Sequence, residues 1–146
     1  MNTSNDGFDW SQAQAVLDTL HRYGWGYDSF DMELMGAAFA EDATTGGVVS
    51  NSTSGWGPWT GRAAIVAGLS AIHASQPDRR RHVITTPMFL SLTPEQAELK
   101  ALLTCYSILP GAQPVLATTG EYHARLSRTN GNWAIDRLDA VLDGEF

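Results

Sequence analysis

QAELKALLTCYSIL, residues 96–109, decides the fold class. Ala97, Leu99, Ala101, Leu103 and Cys105 fall on one face of an extended chain, and Glu98 and Lys100 fall on the other. That alternation reads as a strand with one face in the core. Its neighbours share the period. Arg80 to Leu92 precedes it, and Val115 to Arg128 and Asn132 to Leu142 follow, the last two joined by Asn130-Gly131, a pair suited to a tight hairpin turn. Successive strand-like runs of this kind predict an antiparallel meander. Leu102 and Tyr106, opposite the core face, are candidates for an oligomer contact.

Upstream, the period turns helical. Ala64, Ile65, Leu69 and Ile72 recur at helical spacing between Gly61 and His73, and Gln76-Pro77-Asp78 ends that pattern. Ala43 to Trp59 is rich in Gly, Ser and Thr, with Val48 and Val49 on one side and Trp56 and Trp59 on the other, which predicts a short hairpin with a mobile tip. A first helix is expected from about Ser11 to about Tyr27. Ser11-Gln12-Ala13-Gln14 has capping-box form, Val16, Leu17, Leu20, Tyr23 and Tyr27 make the apolar stripe, and Gly24 and Gly26 weaken the last turn. Asp31 is a good N-cap for a second short helix, with Leu34, Met35, Ala38 and Phe39 as its buried stripe and an end near Glu41. Residues 1–8 are polar and expected to fray, which leaves 9–146 as one domain. The expected class is α+β: a cone-shaped barrel in which three N-terminal helices pack on a curved, mostly antiparallel sheet. The wide end of such a cone can remain unfilled and leave an apolar pocket.

Composition narrows the function. The chain has 146 residues and a formal charge of −7, which opposes general attraction to nucleic acid or an anionic membrane. The basic cluster Arg79, Arg80 and Arg81 reads as a solvated strand entrance or subunit contact rather than a phosphate reader. Cys105 is the single cysteine, so no intrachain disulfide is available, and its apolar neighbours suggest a buried structural thiol. The start, MNTSNDGFDW, lacks the basic and apolar regions of a signal peptide, and no apolar run is long enough to span a bilayer. A cytoplasmic protein is expected. The histidines show no HxH or HxxxH spacing, so no metal site is expected; GxGxxG, GxxxxGK[ST] and a GxSxG nucleophile elbow are likewise missing.

Several residues could nevertheless form an acid/base site. His21 to Thr44, HRYGWGYDSFDMELMGAAFAEDAT, places Tyr23 and Asp28 where one helix ends and an apolar helix begins. His82 shares strand parity with Ile84, Thr86, Met88 and Leu90, a largely apolar face, and a neutral imidazole there could move a proton near neutral pH. The same pattern suits a hydrogen-bonded core histidine. Asp28 could orient His82 and stabilise its imidazolium, or simply close an Asx-turn. Tyr23 could donate a hydrogen bond to a developing oxyanion, and Tyr27, one turn later, could do the same. Arg137 shares parity with Trp133, Ile135 and Val141, so it is expected to face inward, where it needs either a carboxylate or a polar ligand. Met35, Phe39, Trp56, Trp59, Met88 and Tyr122 could wall a pocket for a flat ligand or serve as ordinary core.

Taken together, Tyr23-x4-Asp28, FAEDA at 39–43, GPWTGRAAI at 57–65, RHVITTP at 81–87 and GNWAIDRL at 131–138 resemble the SnoaL-like branch of the nuclear transport factor 2-like superfamily, over nearly the whole chain. Within it the pattern is most similar to the group containing bile-acid 7α-dehydratase, scytalone dehydratase and hexachlorocyclohexane dehydrochlorinase. The resemblance implies an α+β cone without a bound cofactor, often a homodimer or homotrimer. It also implies that Asp28 and His82 form a catalytic pair, with Tyr23 and Arg137 as the helix-one tyrosine and final-strand arginine. The further His, Tyr and Asn groups of scytalone dehydratase are not reproduced, which argues against melanin-type substrates. Because the superfamily includes cyclases, isomerases and non-catalytic members, the fold alone does not choose a reaction. The leading expectation is a cofactor-independent dehydratase acting on a hydrophobic cyclic molecule in secondary or steroid-like metabolism. Polyketide cyclisation and double-bond isomerisation are alternatives, and a non-catalytic small-molecule-binding module is the alternative of another class.

Overall fold

Asp9 starts the first helix, α1 (Trp10–Asp28), by accepting hydrogen bonds from the N–H groups of Ser11 and Gln12 at 2.9 and 3.2 Å. It takes the role expected of Ser11. The structure, a computed structural model, describes residues 8–146, so the expected fraying of residues 1–7 lies outside the described residues. Phe8 packs edge-on against Trp10 and Phe89, at centroid distances of 4.6 and 5.6 Å.

The end of α1 is what positions Asp28. Phe30 adopts a left-handed conformation at φ 54°, its N–H reaches the Tyr27 carbonyl at 3.1 Å, and the Asp31 N–H reaches the Gly26 carbonyl at 2.8 Å. These paired bonds are a Schellman closure, and they make Asp28 the last helical residue. Asp31 then caps α2 (Met32–Ala37) through the Leu34 N–H at 3.0 Å, as its position predicts. At Gly26 a Cβ would stand 2.5 Å from the Met35 nitrogen, so only glycine lets the two helices meet this closely.

α2 stops earlier than its apolar stripe predicts because Ala38 and Phe39 are drawn into the sheet. Phe39 opens β1 (Phe39–Val49), which pairs in parallel with β6 (Asn132–Leu142), and the Ile135 N–H donates to the Ala38 carbonyl at 2.8 Å. Burial is served either way: Ala38 and Phe39 are both inside. β1 turns into β2 (Gly55–Thr60), and the tip expected to be mobile is tied down by Ser52 and Ser54, which donate to Glu145 at 2.9 and 2.6 Å. α3 (Arg62–Ser75) follows and buries Ile65 and Leu69.

β3 (Arg79–Leu92), β4 (Gln96–Ile108), β5 (Val115–Thr129) and β6 make the expected antiparallel meander. The sheet order is β2-β1-β6-β5-β4-β3, curved and unclosed, with the three helices packed against it. Asn130 and Gly131 form the β5–β6 turn with φ of 52° and 81°, both positive as that dipeptide implies. The core joins Val16 and Leu20 of α1, Met35, Phe39 and Ile65 to the inner faces of β4, β5 and β6. Leu102 and Tyr106 remain exposed on the outer face. Among the described residues no helix is long and apolar enough to cross a membrane.

Two irregularities decide which side chains reach the interior. In β3 the register with β4 shifts between Thr85 and Met88, where Thr86 has φ 53°. In β6 the pairing with β5 passes from Arg125 opposite Arg137 to Leu126 opposite Ile135, so Asp136 is the extra residue. Such a bulge reverses the inward set beyond it. Met88 is therefore 56% exposed, and Leu90 is also outside, against the expectation that both share the face of His82. Beyond Asp136 the buried residues of β6 are Leu138, Ala140 and Leu142, so Arg137 and Val141 face outward rather than inward.

Candidate active site

Asp28 and His82 meet where the C-terminus of α1 crosses β3. Both carboxylate oxygens are used: Oδ2 accepts the His82 backbone N–H at 2.7 Å, and Oδ1 lies 2.6 Å from ring Nδ1. Both side chains are more than nine-tenths buried. A carboxylate accepts and cannot donate, so Nδ1 carries a proton, and in the neutral imidazole that leaves the lone pair on Nε2. The arrangement runs against local helix electrostatics, since an anion at a helix C-terminus meets the negative end of the macrodipole. α1 has no basic residue in its last turn to offset this. The two N–H groups of His82 supply the compensation.

His82 lines a cavity of about 280 Å³. Its walls include Tyr23 and Tyr27 of α1, Trp56 of β2, Leu69 and Ile72 of α3, and Tyr122 of β5. The Tyr27 ring stands edge-on to His82 at 5.4 Å, and Tyr23 stands edge-on to Tyr122 at 5.9 Å. Burial pushes the Tyr23 phenol up to about 12, while interaction with the Tyr122 hydroxyl pulls the other way. Burial also pushes the Tyr27 and Tyr122 phenols up. All three are thus neutral donors across the physiological range. The Tyr27 hydroxyl is committed to Gln76, which leaves Tyr23 as the better candidate for a ligand oxygen. Trp56 reaches the cavity because Gly47 lies beneath it: a Cβ there would stand 2.1 Å from the indole.

Other expected walls lie elsewhere. Met35 and Phe39 are fully buried core residues, Phe39 packing edge-on to Tyr23 at 5.7 Å. Trp59 covers Gly68 of α3, and Met88 is on the outer face. Arg137, expected at the site, pairs with Asp139 at 2.7 Å on the outer face, and that hydrogen bond holds its guanidinium more firmly protonated. Cys105 is buried, and burial pushes its thiol up to about 12, which fits the structural reading.

Arg80 is the charged one among the lining residues that the sequence did not single out. Arg80 lies on the inner side of β3 with His82, and Leu103, Leu142 and Phe146 complete the walls near it. The signal was available in the strand parity, since residues 80, 82 and 84 alternate together; the charge run at 79–81 concealed it. Asp28 and His82 also line a second, larger groove of about 370 Å³, together with His21, Trp25, Arg81 and Val83. Among the described residues no cluster of His, Cys, Asp and Glu could hold a metal ion.

Residues 10–139 match the SnoaL-like domain, and the chain belongs to that family. No curated protein sequence matches it. Similar solved structures include a protein of unknown function with a cystatin-like fold from Nostoc punctiforme, at 18% identity and TM-score 0.81, covering 94% of this chain and 95% of that one. A proposed scytalone dehydratase from Novosphingobium aromaticivorans is similar at 16% identity and TM-score 0.74, covering 93% and 87%. Hexachlorocyclohexane dehydrochlorinase LinA-type3 from Novosphingobium barchaimii is similar at 14% identity and TM-score 0.74, covering 93% and 89%. At these identities the likeness establishes the NTF2-like fold.

Proposed function

We propose that this protein is a cofactor-independent acid–base lyase, a dehydratase acting on a small cyclic ketone or a comparably acidic ring compound. The observation that carries the reading is the double use of Asp28, which fixes both the tautomer and the direction of the His82 ring. Nε2 removes the proton next to the carbonyl, and the electron pair moves toward the carbonyl oxygen. Tyr23, a phenol that stays protonated, donates to that oxygen. The electrons then return to form the carbon–carbon double bond, the β-hydroxyl leaves with the proton held by His82, and water departs. Atoms balance, and His82 ends neutral. The imidazolium formed midway is stabilised by Asp28 and by the negative end of α1.

The cavity is at the lower limit of ligand pockets, which span roughly 300–1,000 Å³. Its size favours one or two rings over a steroid nucleus, and elimination over the folding and closure of a long polyketide chain. The similar proteins described as a proposed scytalone dehydratase and a dehydrochlorinase point the same way, since both names denote eliminations.

The test uses β-hydroxy ketones such as 3-hydroxycyclohexanone and 3-hydroxy-1-tetralone. Formation of the cyclohexenone, or of the 1-naphthol to which the tetralone-derived enone tautomerises, is followed by absorbance, and exchange of the acidic proton in heavy water by NMR. The reading predicts both reactions above the buffer rate and their loss in His82→Gln. Equal rates in the wild type and His82→Gln would return the protein to the non-catalytic binding class.

A further inference from the structure

Arg80 is built into the cavity in an unusual way. Its guanidinium carbon lies 3.9 Å from the centroid of the Phe146 ring, so one face of the cation is covered. Its Nε faces Asp78 Oδ2 at 3.3 Å. Among the described residues that is its only hydrogen bond, and both terminal nitrogens lack a protein acceptor. The side chain is only 14% exposed. A bidentate Arg–Asp pair would have used the fork; here the carboxylate is turned so that Oδ2 also accepts from Ser107, and Oδ1 is buried with no partner. Burial alone would raise the Asp78 carboxyl, but Ser107 and Arg80 outweigh it and hold it below its ordinary range. The Asp78 anion thus steers Arg80 without saturating it.

Phe146 is held in place independently of Arg80. The Asp143 N–H donates to the Thr119 carbonyl at 2.8 Å, Thr118 Oγ1 donates to the Gly144 carbonyl at 2.7 Å, and Ser52 and Ser54 grip Glu145. These contacts seat the aromatic ring at the cavity wall beside Trp56 and Leu142.

We propose that Arg80 is the substrate-recognition residue of this cavity and that the physiological ligand is a one- or two-ring compound bearing a carboxylate, bound end-on by the two free terminal nitrogens. The inference rests on the acid–base reading for its site and deepens it by naming the ligand's charge. A planar carboxylate matches the unused fork, and the apolar ring would lie along Trp56, Leu103 and Phe146. Residues two apart on a strand are about 7 Å apart. A carboxylate on Arg80 therefore places a ring carbon, rather than the carboxylate itself, near His82.

The probe is 2-naphthoate, with 2-naphthamide as its uncharged isostere. Binding is measured by NMR titration reading the His82 imidazole and the Phe146 ring. The proposal predicts that the wild type binds the carboxylate about tenfold or more tighter than the amide. Arg80→Met should reduce that ratio to about one, and Arg80→Lys, which keeps the charge and loses the fork, should retain part of the preference. A wild-type ratio near one, a preference that survives in Arg80→Met, or no binding of 2-naphthoate at millimolar concentration overturns it. If Arg80→Met does not fold, the wild-type ratio together with Arg80→Lys decides. His82→Gln separates the two readings. It should abolish enone formation and leave the carboxylate preference intact, so loss of the preference with an active dyad sinks only Arg80, and a preference with an inactive dyad sinks only the lyase.

Discussion

β3 and β6 carry the same kind of irregularity, with opposite consequences. In β3 the bulge at Thr86 lies after the functional residues, so Arg80, His82 and Ile84 keep the inward phase that alternation predicts. In β6 the extra residue, Asp136, lies one position before Arg137, and the phase reverses just where the alternation would have placed a cation in the cavity. The interior cation comes from β3 instead. One inserted residue moves a side chain from one face of a sheet to the other, so strand periodicity assigns a face only as far as the nearest bulge.

The largest expected effects are on activity. His82→Gln is expected to lower turnover of the β-hydroxy ketone probes on the order of 10²–10⁴-fold, the usual contribution of a positioned acid/base group. Asp28→Asn should produce a loss approaching the same size, because an amide cannot stabilise the imidazolium by charge. It should also cost about 1–3 kcal/mol in a denaturant titration, since its NH₂ group must face one of the buried donors of His82. Normal turnover in a folded Asp28→Asn variant would remove the α1–β3 junction from the mechanism.

Tyrosine titration tests the closed side of the site. The folded-state phenol of Tyr23 is raised to about 12, against roughly 10 in an unfolded chain. The folded state therefore holds the proton more tightly; this contribution is fully present below pH 10 and is lost as pH rises from 10 through 12. Stability should fall over that window, with a smaller fall in Tyr23→Phe. A flat profile in the wild type would mean that the phenol is solvated.

The smaller effects concern the two bulges. Thr86 is β-branched at positive φ, a strained combination, so Thr86→Asn should raise unfolding free energy by about 0.5–1 kcal/mol with His82 chemistry unchanged. Arg137→Met should alter stability by less than about 1 kcal/mol, because the pair with Asp139 is solvent-screened. Its turnover should stay within about twofold of wild type. A large catalytic loss there would contradict the outward phase of β6.

Much of the architecture was legible because its causes are local. The Asp31 cap, the Asn130-Gly131 turn and the alternation of residues 96–109 each follow from conformational preferences within a few residues. The end of the second helix was not. Met32–Glu41 has a helical stripe, and only pairing with Ile135, almost a hundred residues away, pulls Phe39 into a strand. The cavity walls divide the same way. Tyr23, Tyr27, Trp56 and Tyr122 line the cavity, whereas Met35, Phe39 and Trp59 belong to packing that one-dimensional spacing cannot distinguish from a pocket.

By itself the sequence determined the periods, the caps and turns, and the residue types able to exchange a proton, because these depend on covalent geometry and nearest neighbours. Only the tertiary structure decided the phase of each strand beyond its bulge, the two-point grip of Asp28 on His82, and the exchange of Arg137 for Arg80. Those depend on registry between strands and on which charge the closing core can leave without a partner. Each is set by contacts between segments tens of residues apart, and no local preference specifies them.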